Sequence, residues 1–300
     1  MSTEKLAPGY ADLTPSEVLD ALDAVGFRGD GRILQLNSYE NRVFQVMLED
    51  GDAVVTKFYR RARWSDAQIV EEHSFALELA AAEVPVVAPC LIEEATPDVR
   101  LLPEAGPATL ALRPGTDGVH RYAVSPRCAG RTPELEDESV LVRLGGFIGR
   151  LHAVGARRAF AHRRTLDAPR DAREAVAQLS DGGFVADNQQ ESWADACAQA
   201  INCIDAAFGA HEPKSIRLHG DCHPGNLLWR DAGAHVVDLD DARMGPAVQD
   251  LWMLLSGDRR QRTHQLGALL DGYEQFRTFD RRELALIEPL RTLRLIHYSA

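Results

Sequence analysis

Residues 216–226 read IRLHGDCHPGN and residues 235–241 read HVVDLDD, and these two segments decide the fold. In each of them a short apolar run, typical of a buried strand, ends at a group of polar residues. Polar loops held between strands are where proteins commonly place binding and catalytic groups. The two segments therefore predict a hairpin that presents a functional site.

Three residues of this stretch have the types and the spacing that phosphoryl transfer requires. The reaction needs one carboxylate to orient the attacking hydroxyl and two oxygen ligands to hold Mg²⁺ against the phosphates. Kinases supply them as His-x-Asp, an Asn five residues later and an Asp beyond, and Asp221, Asn226 and Asp238 follow that spacing. Such residues also form ordinary turns, but the ordered match, which includes His219, favours catalysis.

The composition is that of a globular protein with room for two lobes. The chain has 300 residues, of which 45% are hydrophobic and 26% are charged, and single cores usually stop growing near this length. The formal net charge is −12, and a field of that sign repels phosphate backbones and anionic lipid surfaces. We therefore expect neither nucleic acid nor a membrane among its partners.

The lack of a recognisable targeting signal and the spacing of the cysteines favour a cytoplasmic location. The first ten residues lack a basic segment followed by an apolar run, and no stretch approaches the roughly 20 apolar residues of a membrane span. The five cysteines are odd in number and show no Cys-x-x-Cys spacing, which argues against a disulfide framework and a thiolate zinc site. We expect reduced thiols and a cytoplasmic location.

The first 127 residues predict a small lobe built on an antiparallel sheet. A capped helix near residues 14–26 opens it, and a second helix begins at Ser65. An Asp-Gly pair at residues 50–51 is typical of a hairpin turn between strands. Strands are predicted at residues 33–34, 43–48, 53–59, 100–103 and 122–126.

Helices dominate the rest of the chain, which we assign to a second, catalytic lobe at residues 128–300. A segment rich in glycine and proline begins this lobe and is typical of a domain boundary. A helix predicted at residues 135–154 carries three glycines, which would let another helix approach closely. Another helix is predicted at residues 191–208. The pattern predicts an α+β protein.

The residues of the polar loop resemble those of the aminoglycoside phosphotransferase and choline kinase superfamily, whose loop reads His-Gly-Asp, two residues, Pro-Gly-Asn. Within it, the chain is most similar to the bacterial stress response kinase A family of serine/threonine kinases. The narrower likeness rests on LNSYENRV at 36–43, EEH at 71–73, the loop at 219–226, VDLDDAR at 237–243 and QDLW at 249–252. It implies a two-lobed, protein-kinase-like fold.

The resemblance also implies roles for particular residues. Asp221 would orient or deprotonate the attacking hydroxyl, Asn226 and Asp238 would bind Mg²⁺, and Asp238 would itself be an active-site residue. Ser38 would contact ATP, the co-substrate. The implied activity is transfer of the terminal phosphate of ATP to a serine or threonine of a protein of unknown identity, in a stress response.

Lys57 lies in an alternating strand, where kinases place a lysine that grips the nucleotide phosphates and pairs with a helix glutamate. A strand lysine can also simply face solvent. We predict Glu72 as its partner, because Glu72 shares the inward stripe of the helix after Ser65, whereas Glu71 does not. The loop at 37–41 occupies the place of a kinase glycine-rich loop but has no glycine.

The nucleotide is expected in a cleft near Ser38 and Cys128, with the adenine against backbone groups around Arg127 and Cys128. Asp250, at the start of an apolar helix, resembles a buried support of the catalytic loop, although an aspartate is also ordinary in a first helical turn. His73 and His152 are interpreted as structural, because nothing pairs either of them with a nucleophile.

Other activities remain open at this point. A small-molecule kinase for an aminoglycoside, choline or homoserine is one, because only about a dozen residues separate Asp238 from Asp250 and no activation segment docks a peptide. A metallohydrolase would use His219, Asp221, His223 and Asp238 as ligands of a transition metal. A pseudokinase would usually lack one of the kinase residues, and all are present. We expect a monomer.

Overall fold

The computed structural model describes residues 10, 12–38, 40–102, 108–116, 118–211, 213–230 and 233–299. The chain divides into two compact units, Met1–Ala129 and Gly130–Ala300. An antiparallel sheet dominates the first unit and helices dominate the second, so the predicted α+β class is confirmed. The strand end predicted at Pro103 lies outside the described residues.

Among the residues that the structure describes, the sheet of the first unit has six strands in the order β1-β2-β3-β6-β5-β4, and every neighbouring pair is antiparallel. The strands are β1 (Gly29–Leu36), β2 (Arg42–Leu48), β3 (Ala53–Phe58), β4 (Arg100–Leu102), β5 (Leu110–Gly115) and β6 (Gly118–Pro126). Strand β5 is absent from the sequence prediction, because its Arg-Pro-Gly ending has the composition of a loop.

Within the described residues, the first unit contains two helices, and both begin at the predicted caps. Helix α1 (Pro15–Asp23) starts after Thr14, whose hydroxyl accepts the amide of Glu17. Helix α2 (Asp66–Ala81) starts after Ser65 with a reciprocal capping box. Because side chains alternate along a strand, Phe58 of β3 packs into the core with residues of α1, and its neighbour Lys57 extends from the other face.

The second unit contains six helices and two small sheets within the described residues. Its elements are α3 (Glu138–Gly155), α4 (Ala168–Asp181), α5 (Gln190–Ala210), β7 (Ile216–Leu218), β8 (Leu227–Arg230), β9 (Gly233–Val236), β10 (Arg243–Gly245), α6 (Gln249–Trp252), α7 (Arg259–Tyr273) and α8 (Ile287–Ser299). Helix α3 begins three residues later than predicted, because Asp137 caps it. None of the described helices is long and apolar enough to cross a bilayer.

Helices α3 and α7 approach so closely that their contact requires glycine. A Cβ atom on Gly145 would lie 1.8 Å from the carbonyl oxygen of Leu269, and one on Gly272 would lie 1.8 Å from that of Val142. Neither carbonyl belongs to a flexible side chain that could move aside. The prediction that glycines in the first long helix allow a close helix neighbour is confirmed.

Candidate active site

The polar loop at 219–226 connects two different small sheets. Strand β7, before the loop, pairs with β10, where Leu218 faces Arg243. Strand β8, after the loop, pairs with β9, where Leu227 faces Val236. The simple hairpin predicted across the loop is therefore wrong, because β7 takes its partner from beyond Asp238. This pairing brings the loop and the segment 238–242 together.

Asp250 braces the start of the loop from below. Its two carboxylate oxygens accept the backbone amides of His219 and Gly220, each at 2.8 Å, and one of them also contacts Nε2 of His152 at 3.0 Å. Burial alone would raise the pKa of Asp250, but the hydrogen bond and charge of His152, the charge of His219 and the amide of Gly220 lower it. Asp250 therefore stays a carboxylate, and the support predicted from the resemblance is confirmed.

Gly220 allows the chain to turn sharply within this brace. It has a φ of +87°, a conformation that strongly favours glycine, and a Cβ atom there would lie 2.1 Å from the carbonyl oxygen of Asp241. The side chain of Gln249, next to Asp250, donates to the carbonyl of Gly220 at 2.9 Å. The backbone N–H and the backbone carbonyl of Gly220 are thus both hydrogen-bonded to side chains of the short helix α6.

His219 is buried, and its ring holds the loop together. Its Nδ1 accepts the amide of Asp221 at 3.2 Å, and its Nε2 contacts the carbonyl of Val237 at 2.9 Å. A ring that accepts at one nitrogen and donates at the other has no lone pair left for a metal. Among the described residues, no group of three or more His, Cys, Asp or Glu side chains is arranged to hold a metal ion.

His73 and His152 have structural partners, as predicted. His73 is buried between the hydroxyls of Tyr59 and Thr109, at 2.7 and 2.9 Å. His152 lies between Asp250 and the hydroxyl of Tyr273, which is 3.0 Å from its Nδ1. Neither ring contacts a serine, cysteine or lysine nucleophile in these bonds.

The side chain of Asp221 extends from the loop and is half-buried, and each of its two carboxylate oxygens lies near a donor. Nη1 of Arg294, on α8, donates to Oδ1 at 2.5 Å, and Nε2 of His223 lies 3.4 Å from Oδ2. Burial alone would raise the pKa of Asp221, but the hydrogen bonds and charges of His223 and Arg294 hold it well below its usual range. Sequence reasoning missed Arg294, because nothing marks an arginine 73 positions away as a partner of the loop.

The surroundings of the next residue, Cys222, disfavour the reactive thiolate form. Its side chain is buried, and burial, with the charges of Asp250 and Asp221, raises the pKa of the thiol well above its ordinary value. A thiol that stays protonated is a poor nucleophile and a poor metal ligand. The same physical argument applies to Cys197 in α5, where burial also raises the pKa.

Asn226 and Asp238 lie on neighbouring segments. The amide of Val237, the residue before Asp238, donates to the carbonyl of Asn226 at 3.1 Å. The side-chain amide of Asn226 donates to the backbone carbonyl of Asp221 at 2.9 Å, which leaves its carbonyl oxygen as the possible ligand. Asp238 is exposed and has a left-handed backbone, with φ 61° and ψ 67°, which is uncommon outside glycine.

The segment after Asp238 is clamped by a buried arginine. Arg163, which is 4% exposed, donates from Nε to the carbonyl of Ala242 at 2.8 Å and from Nη2 to the carbonyl of Asp240. The left-handed turn at Asp238 leads into a 3₁₀ turn, Leu239–Asp241. Arg163 therefore fixes the chain immediately after the proposed metal ligand.

In the first unit, the predicted pairing of Lys57 with a helix glutamate is present. Nζ of Lys57 lies 3.4 Å from Oε1 of Glu72, and the two side chains are 18% and 6% exposed. Glu72 is buried in α2, whereas Glu71 is only partly buried. Lys57 also lies over the ring of Tyr59, 4.7 Å from its centroid, so it does not simply face solvent.

The other predicted nucleotide residues also belong to the first unit. The hydroxyl of Ser38 accepts the amide of Asn41 at 3.3 Å, which shapes the turn after β1, and Tyr39 lies outside the described residues. Arg127 is exposed and donates to the side chain of Gln45 at 3.0 Å. Cys128 is partly buried and contacts the carbonyl of the next residue. Their contacts with ATP stay a prediction.

Arg127 also lines a groove of about 1060 Å³ at one end of the sheet. The groove is formed around the β2–β3 turn and reaches Arg28 and Cys90. Ser38 and Lys57 are not part of its lining. We therefore do not assign the nucleotide to this groove.

The phosphotransferase enzyme family matches residues 32–287. Stress response kinase A of Escherichia coli strain K12 is 40% identical over 291 residues, which cover 97% of this chain and 83% of that protein. The chain belongs to the stress response kinase A family. A serine/threonine protein kinase RdoA of Salmonella typhimurium strain LT2 shows the same identity over the same shares of both chains.

Solved structures confirm the fold of this family member. An amicoumacin kinase in complex with AMP-PNP, Ca²⁺ and Ami is similar with a TM-score of 0.72 and 18% identity, over 94% of this chain and 84% of that one. A microcompartment-associated aminopropanol kinase is similar with a TM-score of 0.67 and 16% identity, over 95% and 88%. The predicted kinase-like, aminoglycoside-phosphotransferase-like fold is thereby confirmed.

Membership of the stress response kinase A family makes this chain an ATP-dependent phosphotransferase, a kinase. This finding decides against the metallohydrolase alternative. The geometry agrees, because His219, one of the four ligands that the hydrolase would need, uses both ring nitrogens inside the loop.

Proposed function

We propose that this kinase is a Mg²⁺-dependent serine/threonine protein kinase that transfers the γ-phosphate of ATP to a protein hydroxyl. The observation that carries the proposal is the carboxylate of Asp221, held in a loop that Asp250 braces through two backbone amides. The relatives' names, stress response kinase A and serine/threonine protein kinase RdoA, support the choice of acceptor.

Asp221 would orient the acceptor hydroxyl and receive its proton. The acceptor oxygen forms a bond to Pγ of ATP, the bond between Pγ and the β–γ bridging oxygen breaks, and ADP leaves with that electron pair. Because the loop is held from α6, Asp221 needs little rearrangement at the moment of transfer. Positioning of this kind is the main contribution a protein makes to phosphoryl transfer.

Asn226 and Asp238 fit a magnesium ion. Both offer hard oxygen donors, which Mg²⁺ prefers, and a site with one or two protein ligands is usual where nucleotide phosphates supply the rest. The bond from the Asn226 amide to the Asp221 carbonyl directs the other end of that amide, its oxygen, to the ligand role. When bound, the metal supplies positive charge that offsets the charge of the phosphates.

Lys57 would bind the ATP phosphates, and Glu72 would hold Lys57 extended. A lysine whose partner is 6% exposed loses less conformational freedom on binding than a solvent-exposed one. Ser38 and the backbone of its turn would replace the glycine-rich loop of other kinases. Arg127 and Cys128 would contact the adenine through their backbone groups.

A small-molecule kinase is the second candidate, and one observation favours it. The segment between Asp238 and Asp250 consists of a 3₁₀ turn, β10 and a buried turn. It is therefore too short to contain an activation segment that docks a peptide. Similar folds include the amicoumacin and aminopropanol kinases. Acceptor choice therefore has to be measured.

The decisive experiment compares the wild type with Asp221→Asn in the transfer of labelled γ-phosphate from ATP with Mg²⁺. The acceptors are dephosphorylated casein, the enzyme itself, choline, homoserine and an aminoglycoside. The matched control is Asp195→Asn, at an exposed position of α5. We expect at least ~100-fold less transfer by Asp221→Asn, and no loss in the control.

The pattern of labelling decides between the candidates. Label on serine or threonine that depends on Asp221 supports a protein kinase, and label on a small molecule alone moves the chain to the metabolic kinases. Near-normal transfer by Asp221→Asn contradicts the assignment of this residue. EDTA should abolish transfer and Mg²⁺ should restore it; restoration by Zn²⁺ but not by Mg²⁺ would contradict the proposed metal.

A further inference from the structure

Arg294, on the last helix, makes the shortest polar contact of the proposed catalytic aspartate. Its Nη1 donates to Oδ1 of Asp221 at 2.5 Å, and the two side chains are 27% and 24% exposed. The same guanidinium donates from Nη2 to the hydroxyl of Tyr298 at 2.5 Å and lies 4.8 Å from the centroid of that ring. Arg294 is therefore held in place from its own helix while it contacts the loop.

The two oxygens of Asp221 are held unequally. Nδ1 of His223 accepts the amide of Gly225 at 3.0 Å, so the hydrogen of a neutral ring lies on Nε2, which faces Oδ2 of Asp221 at 3.4 Å. That contact is long, and charge-assisted bonds such as the one to Arg294 are shorter and stronger. An entering hydroxyl can therefore replace His223 at Oδ2 more easily than Arg294 at Oδ1.

We propose that Arg294 is a positioning residue of the phosphotransfer site, which holds Oδ1 of Asp221 so that Oδ2 receives the acceptor hydroxyl. The inference rests on the proposed role of Asp221 and adds α8 to the catalytic apparatus. Without Arg294 the carboxylate rotates about its Cα–Cβ and Cβ–Cγ bonds and presents either oxygen. The contacts proposed for Lys57 with the ATP phosphates and for Asn226 with Mg²⁺ do not involve Arg294.

This separation predicts which kinetic constant changes. Arg294→Ala should lower kcat by about 10- to 100-fold, since a misplaced catalytic group typically costs that much, with KM for ATP within about 2-fold of the wild type. Arg294→Lys should recover part of kcat, because its single ammonium supplies the charge without the rigid fork. Guanidinium ion added at millimolar concentration should raise the rate of Arg294→Ala but not of the wild type.

Arg291→Ala is the matched control. Arg291 lies one turn earlier on α8, is 47% exposed at its side chain and pairs only loosely with Glu288, at 3.7 Å. The measurement is phosphate release from MgATP with water as acceptor, together with transfer to dephosphorylated casein. Thermal unfolding and the affinity for MgAMP-PNP are measured for every variant, so that damage to α8 is visible.

The outcomes separate this inference from the proposed function. A fall in kcat confined to Arg294→Ala, with recovery by lysine or by guanidinium, supports it. Equal kcat for Arg294→Ala and Arg291→Ala overturns the inference. A fall in the kcat of Arg294→Ala that comes together with a loss of thermal stability and a loss of MgAMP-PNP affinity also overturns it. If the wild type neither hydrolyses MgATP nor labels casein, the proposed function itself fails. That result is distinguishable from failure of the Arg294 inference, because it appears in the wild type before any variant is compared.

Discussion

Glu283 is a buried carboxylate whose ionisation opposes folding, and its replacement by glutamine should change how stability depends on pH. The residue is 4% exposed, and Oε2 accepts the amide of Val248, just before α6, at 2.9 Å. Burial raises the pKa of Glu283 from an ordinary 4.5 to about 7, and the nearby charge of Asp280 adds to the rise, although the amides of Val248 and Ala247 and the charge of Arg277 oppose it.

The sign follows from proton linkage. A carboxyl whose pKa is higher in the folded state binds its proton more tightly there, so its stabilising contribution is complete below about pH 4.5 and is lost as the pH rises through about 7. Each pH unit between the two pKa values is worth about 1.4 kcal/mol. Between pH 5 and pH 8 the wild type should therefore lose about 2–3 kcal/mol through this residue.

Glu283→Gln keeps the shape and the acceptor oxygen but cannot ionise. We expect the variant to unfold with a free energy close to that of the wild type at pH 5, and to exceed it by about 2–3 kcal/mol at pH 8. The assay is urea unfolding followed by tryptophan fluorescence at both pH values. Glu288→Gln, whose side chain is 68% exposed, is the control and should differ from the wild type by less than about 1 kcal/mol at either pH. A difference between Glu283→Gln and the wild type that is the same at pH 5 and pH 8 would refute the reasoning.

Two further substitutions test the frame of the site. Asp250→Asn places an amide where two backbone N–H groups need acceptors, so at least one of them loses its partner. We expect about 1–3 kcal/mol less stability in urea unfolding and at least a ~10-fold lower kcat. An unchanged kcat would show that the loop does not need the support of Asp250. Gly145→Ala forces a methyl group to within 1.8 Å of the carbonyl oxygen of Leu269, and separation of α3 from α7 should cost about 1–3 kcal/mol in urea unfolding. Gly267→Ala is the control and should be neutral or stabilising, because beyond the neighbouring backbone of its own helix a Cβ atom there meets nothing within 4 Å.

Local sequence signals determined much of this protein. The capping residues Thr14 and Ser65 start helices at the predicted positions, because a cap is satisfied by amides within three residues. Alternating apolar residues predicted most of the strands of the first sheet, because this alternation is likewise a signal between residues that are close in the sequence. The polar loop indicated the chemistry, since Asp221, Asn226 and Asp238 have to appear in a particular order and spacing for phosphoryl transfer.

Only the tertiary structure decided which distant groups surround that loop. Strand β7 pairs with β10 rather than with the strand after the loop, and Asp250 reaches back about thirty residues to the amides of His219 and Gly220. Arg294 contacts Asp221 across 73 positions. Contacts of this kind depend on how whole helices and strands pack, and an arginine or aspartate that will be buried in one of them has the same local sequence signature as one that remains in solvent.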